Sequence, residues 1–262
     1  MSAPKYTLKT KHHQVCEAHG DFDDHLIEQF DGAPSWRGCP RCHFDAKNSP
    51  DESVSQTAKL VQADRELNQR LLDTGIPPRF RPATLANYRT DRHAHQAGVL
   101  QACLDYAEHF EDGLLAGRSM LLLGTMGTGK THLGCAVLQQ VVRDFSRFGV
   151  VGRYVSAPGI IRSVKATFGK SELSEDDVYA ELCGSDLLVI DEIGVQHGTD
   201  FERQVLFEVI NARYERSLPT LAISNLNILE LRKCVGDRVV DRLCDGGGQV
   251  VLFRWDSERG LA

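Results

Sequence analysis

Residues Ser119 to His132 read SMLLLGTMGTGKTH, and that stretch decides the fold. An apolar run of strand length, Met120 to Leu123, breaks into Gly124, Thr125, Met126, Gly127, Thr128, Gly129, Lys130 and Thr131, and a helical pattern then starts through His132. The run matches G-x-x-x-x-G-K-[ST] in full, with the strand before it and the helix after it that the motif needs. Glycines let the loop turn tightly with its backbone N–H groups facing inward, and the helix adds the positive end of its dipole. The product is a concave anion site that fits a polyphosphate. Lys130 is placed to reach β- and γ-phosphate oxygens as a point charge, and the Thr131 hydroxyl to hold Mg2+.

Downstream, Ser185 to Glu192 (SDLLVIDE) carries four consecutive aliphatics. That pattern predicts a parallel strand buried on both faces, delivering Asp191 and Glu192 at its carboxyl end, where open parallel sheets hold their ligands. Asp191 is expected to bind Mg2+ through water, and Glu192 to polarise an attacking water. Leu218 to Ser224 predicts a further strand that ends at Asn225, whose neutral amide suits the attacking water or the γ-phosphate. Strands are also expected at Val150 to Val155 and Gln249 to Phe253. Helices are expected at 130–145, Ile160 to Phe168, Ser171 to Cys183 and Phe201 to Arg216, with Arg238 and Arg242 four apart on one face of a last short helix. Upstream, Gln96 to Phe110 predicts one amphipathic helix, and Tyr88 is either a contact of the adenine or, with Leu85, a cap on the core. Alternating strands and helices imply a three-layer α/β fold with a mainly parallel sheet.

The amino-terminal part has a different grammar. Cys16 and His19 are spaced C-x2-H, and after nineteen intervening residues Cys39 and Cys42 form a C-x2-C knuckle. That is a Cys3His set suited to tetrahedral Zn2+, with Gly20, Gly38 and Pro40 helping each half-site to turn. Four ligands leave no open position, so the zinc is expected to be structural; His12, His13 and His43 are spare candidates. So short a segment has little core, and metal binding would supply most of its folding free energy. Residues 49–75 then turn polar and helix-favouring up to the break at Gly75-Ile76-Pro77-Pro78. The expected organisation is a zinc-binding domain at 1–48, a helical linker at 49–75 and an ATPase domain at 76–262.

Composition narrows the remaining classes. With 262 residues, 42% hydrophobic and 25% charged, the chain is of ordinary globular type. Its net charge of −6 argues against coating nucleic acid by bulk charge, so DNA contacts are expected at a local basic patch. No run reaches membrane-spanning length and the start, MSAPKYTLKTKHH, is too polar for a secretory signal, so a cytoplasmic protein with no membrane partner is expected. In a reducing compartment Cys103, Cys135, Cys183, Cys234 and Cys244 are expected to be buried or free thiols.

The order GTMGTGKTHL, LLVIDEIGVQ, ISN, VGDRVVDRL and VVLFRWDSERG resembles the DnaC-type replicative helicase loaders, AAA+ ATPases related to DnaI and to the transposition helper IstB. The likeness spans about Pro77 to Gly260, and the Cys/His segment is similar to the zinc-containing amino terminus of phage and prophage versions. The resemblance implies Mg-dependent ATP hydrolysis with Gly124 to His132 on the nucleotide, Asp191 and Glu192 as metal and water carboxylates, and Asn225 as first sensor. It implies that Arg238 is the finger reaching a neighbouring subunit's nucleotide, with Arg242 as alternative finger or second sensor. It implies single-stranded DNA contacts at Arg162, Lys165, Lys170 and Phe168, and a replicative DNA helicase as partner, held through the zinc segment. Two other readings remain open at this point: an IstB-like transposition helper, and a nucleotide-switched binding module with little turnover.

Overall fold

In the computed structural model the described residues are 10–30, 32, 34–48, 52–169, 174–195 and 199–258. They fall into two units, Met1–Leu72 and Asp73–Ala262.

The first unit is built on an antiparallel sheet of order β1-β2-β3, with β1 at Thr10–Cys16, β2 at Gly20–Glu28 and β3 at Pro34–Trp36. Helix α1 spans Pro40–Lys47 and α2 spans Glu52–Asp73. The β1–β2 turn closes with the His19 amide donating to the Cys16 carbonyl at 3.2 Å. Asp24 is buried, and its carboxylate accepts the amides of His25 at 2.8 Å and Gly38 at 2.9 Å, which fixes the second knuckle against the hairpin. Residue spacing predicts only turns around the two ligand pairs, whereas the structure adds a sheet. The strands TKHHQVC and GDFDDHLIE mix polar residues onto both faces, so no alternation announces them.

The second unit opens with α3 at Gln96–Glu108 and α4 at Phe110–Leu115. The single helix expected over Gln96 to Phe110 therefore breaks at His109, and the restart buries Phe110 against Tyr106 and Phe145. Then follow β4 (Met120–Gly124), α5 (Lys130–Asp144), β5 (Gly152–Ser156), α6 (Ala157–Ala166), α7 (Glu175–Cys183) and β6 (Leu187–Ile193). The chain closes with α8 (Asp200–Glu215), β7 (Thr220–Ser224), α9 (Ile228–Val235), α10 (Asp237–Cys244) and β8 (Gln249–Phe253). Part of the acidic helix expected from Ser171, residues 171–173, lies outside the described residues.

All five strands are parallel, in the order β5-β6-β7-β4-β8. Leu121, Leu123, Leu188, Ile190 and Ala222 face α6 to α10, while α5 packs on the other face, where a side chain at Gly134 would strike Ile223. Burial on both faces is why the central strands β4 and β6 read as unbroken apolar runs. At the amino ends of β6 and β7 the fully buried Arg213 donates to the carbonyls of Leu182 (2.7 Å), Ser185 (2.9 Å) and Pro219 (2.7 Å) and to Thr220 Oγ1 (3.1 Å). Burial lowers its pKa to about 10, so it remains cationic at neutral pH.

Candidate nucleotide and zinc sites

The strand order determines what meets at the carboxyl edge. β7 lies between β4 and β6, with Leu123 and Ile193 both in register with Ser224. The residue after Ser224, Asn225, therefore leaves the sheet between the Gly124 loop and the Asp191–Glu192 carboxylates.

The loop from Gly124 to Gly129 is shaped by two close approaches. Gly124 has φ +150°, and a Cβ there would lie 2.5 Å from the Phe253 carbonyl of β8. Gly129 has φ +94°, and a Cβ there would lie 2.7 Å from Tyr88 Cε2. The Tyr88 hydroxyl donates to the Thr128 carbonyl at 3.3 Å, and its ring centroid stands 5.6 Å from that of His132. Tyr88 is thus against the loop backbone. Met126 is at the exposed tip, Thr128 Oγ1 closes onto the Thr125 carbonyl at 2.9 Å, and His132 Nε2 meets the Thr84 carbonyl at 3.1 Å. Lys130 Nζ donates to the carbonyls of Gly124 and Thr125, both at 2.6 Å, so its charge sits inside the loop.

Thr131 Oγ1 donates to Asp191 Oδ2 at 2.8 Å, which brings together the two groups expected at Mg2+. Asp191 is buried at 4% exposure, and its Oδ1 accepts the Glu192 amide at 2.6 Å. Glu192 has φ +60°, an unusual angle for a side-chain-bearing residue, and the strain turns its carboxylate out to solvent beside Asp191. An oxygen-only pair next to a lysine-lined loop is the donor set that a Mg-nucleotide requires.

Residues 54–246 match the family model described as IstB-like ATP binding protein. The chain belongs to this family. Within it, the chain is similar to the replicative helicase loader DnaC of Escherichia coli (strain K12), at 32% identity over 211 residues covering 80% of this chain and 83% of the relative. The DnaC of Buchnera aphidicola subsp. Acyrthosiphon pisum is 30% identical over 209 residues, covering 79% and 80%. A crystal structure of the DnaC helicase loader superposes with a TM-score of 0.59 at 20% identity, over 67% of this chain and all but 1% of that one, a likeness of fold. The chain is therefore an AAA+ ATP-binding protein of the DnaC-like helicase-loader family, a group tied to DNA replication. No helix among the described residues is long and apolar enough to cross a membrane.

A second cluster lies in the first unit of this loader-family chain. Cys16, His19, Cys39 and Cys42 place their ligand atoms within 4.8 Å of one another. His19 Nδ1 is 3.6 Å from Cys16 Sγ, 3.7 Å from Cys39 Sγ and 3.3 Å from Cys42 Sγ. Zinc bonds of about 2.0–2.3 Å put tetrahedral corners roughly 3.5–3.8 Å apart, so the spacing suits that ion. The hydrogen bond between Cys16 and Cys42 lowers the Cys16 thiol's pKa and pushes that of Cys42 up to about 12. His19 Nε2 meets Asp45 Oδ2 at 2.7 Å, the outer carboxylate that orients a metal-binding imidazole. The spare histidines lie elsewhere: His12 against the Trp36 ring, His13 beside Asp23, and His43 on the Arg37 carbonyl.

Arg238 is exposed on α10 and forms no ion pair among the described residues. Arg242 instead lies over its own subunit's rings, 4.7 Å from the Phe207 centroid and 5.6 Å from that of Tyr214. Arg162, Lys165 and Phe168 are exposed on and just beyond α6, with Phe168 edge-on to Phe201 at 5.6 Å; Lys170 lies outside the described residues. Sequence reasoning missed three groups that the fold brings to the loop and to Asp191. Glu258 donates its amide to the Gly127 carbonyl at 3.0 Å, Trp255 accepts the Thr125 hydroxyl at 3.2 Å, and the Tyr154 hydroxyl donates to Asp191 Oδ2 at 2.9 Å. The FRWDSE segment hinted at the first two by its position after the last strand, whereas Tyr154 reads only as a strand residue.

Proposed function

We propose that the chain is an ATP-dependent loader that binds the replicative DNA helicase and single-stranded DNA, hydrolyses ATP with Mg2+, and self-associates across the nucleotide site. The observation that carries the reading is the Thr131–Asp191 contact at 2.8 Å beside a lysine-filled phosphate loop, in a chain related to DnaC. When bound, Mg2+ supplies the charge neutralisation that phosphoryl transfer needs. The chain's own groups do the rest. Lys130 exchanges its loop carbonyls for phosphate oxygens, Glu192 takes a proton from the attacking water, and Asn225 holds that water or the γ-phosphate between loop and carboxylates. Arg238, which forms no ion pair among the described residues, extends to the nucleotide of the next subunit and lends charge only after assembly, which couples turnover to stacking. The face carrying Arg162, Lys165 and Phe168 pairs cations with an aromatic, the combination that holds single strands. The zinc-bearing unit is assigned to the helicase.

Glu192→Gln is the test: a fall of about 100-fold or more in DNA-stimulated ATPase with nucleotide binding retained supports hydrolysis, in line with loss of a positioned base. Unchanged turnover instead supports a nucleotide switch. Association with a replicative helicase, followed by size exclusion at micromolar protein with ATP, tests the partner, and the absence of any complex removes the loader reading. The family model's description favours one competitor, an IstB-like transposition helper. That reading predicts filaments on duplex DNA rather than a helicase complex.

A further inference from the structure

Tyr154 stands out because it touches both the metal carboxylate and the start of the second unit. Its hydroxyl donates to Asp191 Oδ2 at 2.9 Å, the same oxygen that accepts Thr131 Oγ1 at 2.8 Å. Asp191 Oδ1 is taken by the Glu192 amide. Both carboxylate oxygens are therefore oriented by the chain, and of the two side-chain donors Tyr154 is the one with no metal of its own to hold, since the Thr131 hydroxyl is assigned to Mg2+.

The backbone of the same residue faces the other way. β5 is the edge of the sheet, and its free side is met by the buried segment of Thr74 and Ile76. The Tyr154 amide donates to the Thr74 carbonyl at 2.7 Å. Gly75, at φ +77°, allows the approach, since a Cβ there would lie 3.2 Å from the Tyr154 carbonyl. Thr74 directly follows α2, which ends at Asp73.

We propose that Tyr154 is a positioning residue for the metal site, holding Asp191 in the orientation that serves Mg2+ and tying that orientation to the Thr74–Ile76 junction. The inference rests on the nucleotide-binding reading above. Outer-sphere partners of metal ligands are typically worth 10–100-fold in metal affinity. Because binding linkage is reciprocal, Mg-nucleotide binding then orders the junction, and a partner that disorders the junction weakens Mg-nucleotide binding.

The experiment uses the full chain and Tyr154→Phe, which keeps the ring and removes only the donor. Fluorescent ADP is titrated at a series of Mg2+ concentrations and again in EDTA. The expected result is a Mg2+ midpoint about 10-fold higher in the variant, with EDTA affinity unchanged. Hydrogen exchange supplies the second readout: Mg-ADP is expected to raise protection of the Tyr154 amide in the wild type, and this increment is expected to be lost in Tyr154→Phe. An unchanged Mg2+ midpoint overturns the positioning role, and an equal rise in protection in both proteins overturns the link to the junction. A wild type that binds no nucleotide removes the reading of the site itself, and this inference with it.

Discussion

Gly129→Ala is expected to strain the phosphate loop in two separable ways. The backbone there has φ +94° and ψ 8°, a region that costs an L-residue about 1–2 kcal/mol. The added methyl would also stand 2.7 Å from Tyr88 Cε2. To restore ordinary contact the ring must retreat by roughly 0.7 Å, which weakens its hydroxyl bond to the Thr128 carbonyl at a cost of about 1 kcal/mol. The sum, about 2–3 kcal/mol, lowers the melting temperature of the nucleotide-responsive transition by roughly 4–12 °C for a unit of this size. Calorimetry on Gly129→Ala, Tyr88→Ala and the double variant separates the two parts. Removing the ring relieves the steric part and leaves the backbone part, so the cycle is expected to show about 1 kcal/mol of coupling. Strictly additive effects would refute the steric contact, and a melting temperature within 1 °C of wild type would refute the loop conformation itself.

Arg213→Met keeps the stem but orphans the carbonyls of Leu182, Ser185 and Pro219; chemical denaturation is expected to show a loss of about 3–5 kcal/mol with nucleotide contacts otherwise intact. Asp45→Asn removes the charge facing His19 Nε2, and competition with a chromogenic chelator is expected to show zinc held about 10–100-fold less tightly, against one ion per chain in the wild type. Stripping that zinc is expected to unfold the first unit, seen as loss of the β1–β2 amide protection, because a segment so short has little other core. Arg238→Ala is expected to spare ATP binding and abolish stimulated hydrolysis, and mixing it with Glu192→Gln protein is expected to restore part of the rate, since each variant supplies what the other lacks; no recovery in the mixture counts against a finger acting in trans.

The second unit was readable because burial leaves a mark on sequence. Strands β4, β6 and β7 are covered on both faces, so MLLL, LLVI and LAI are free of polar residues, and the glycine spacing after β4 has few uses besides an anion loop. The first unit left a fainter mark. Its Cys/His cluster was legible by spacing, but β1 and β2 carry polar residues on both faces and their register comes from the Cys16–Gly20 turn, not from an apolar stripe. The helix expected over Gln96 to Phe110 shows the limit of periodicity, since Phe110 continues the pattern while the backbone breaks at His109.

By itself, then, the sequence established a phosphate loop, a strand ending in two carboxylates, a Cys3His set and the alternation that makes a parallel sheet, because each is a local pattern with a local physical cause. Only the tertiary structure decided that β7 stands between loop and carboxylates, that Arg242 rests on its own subunit's aromatics while Arg238 is exposed, and that Tyr154, Trp255 and Glu258 close around the site. Those facts depend on strand order and on contacts between residues tens to more than a hundred positions apart, and no window of sequence contains both partners.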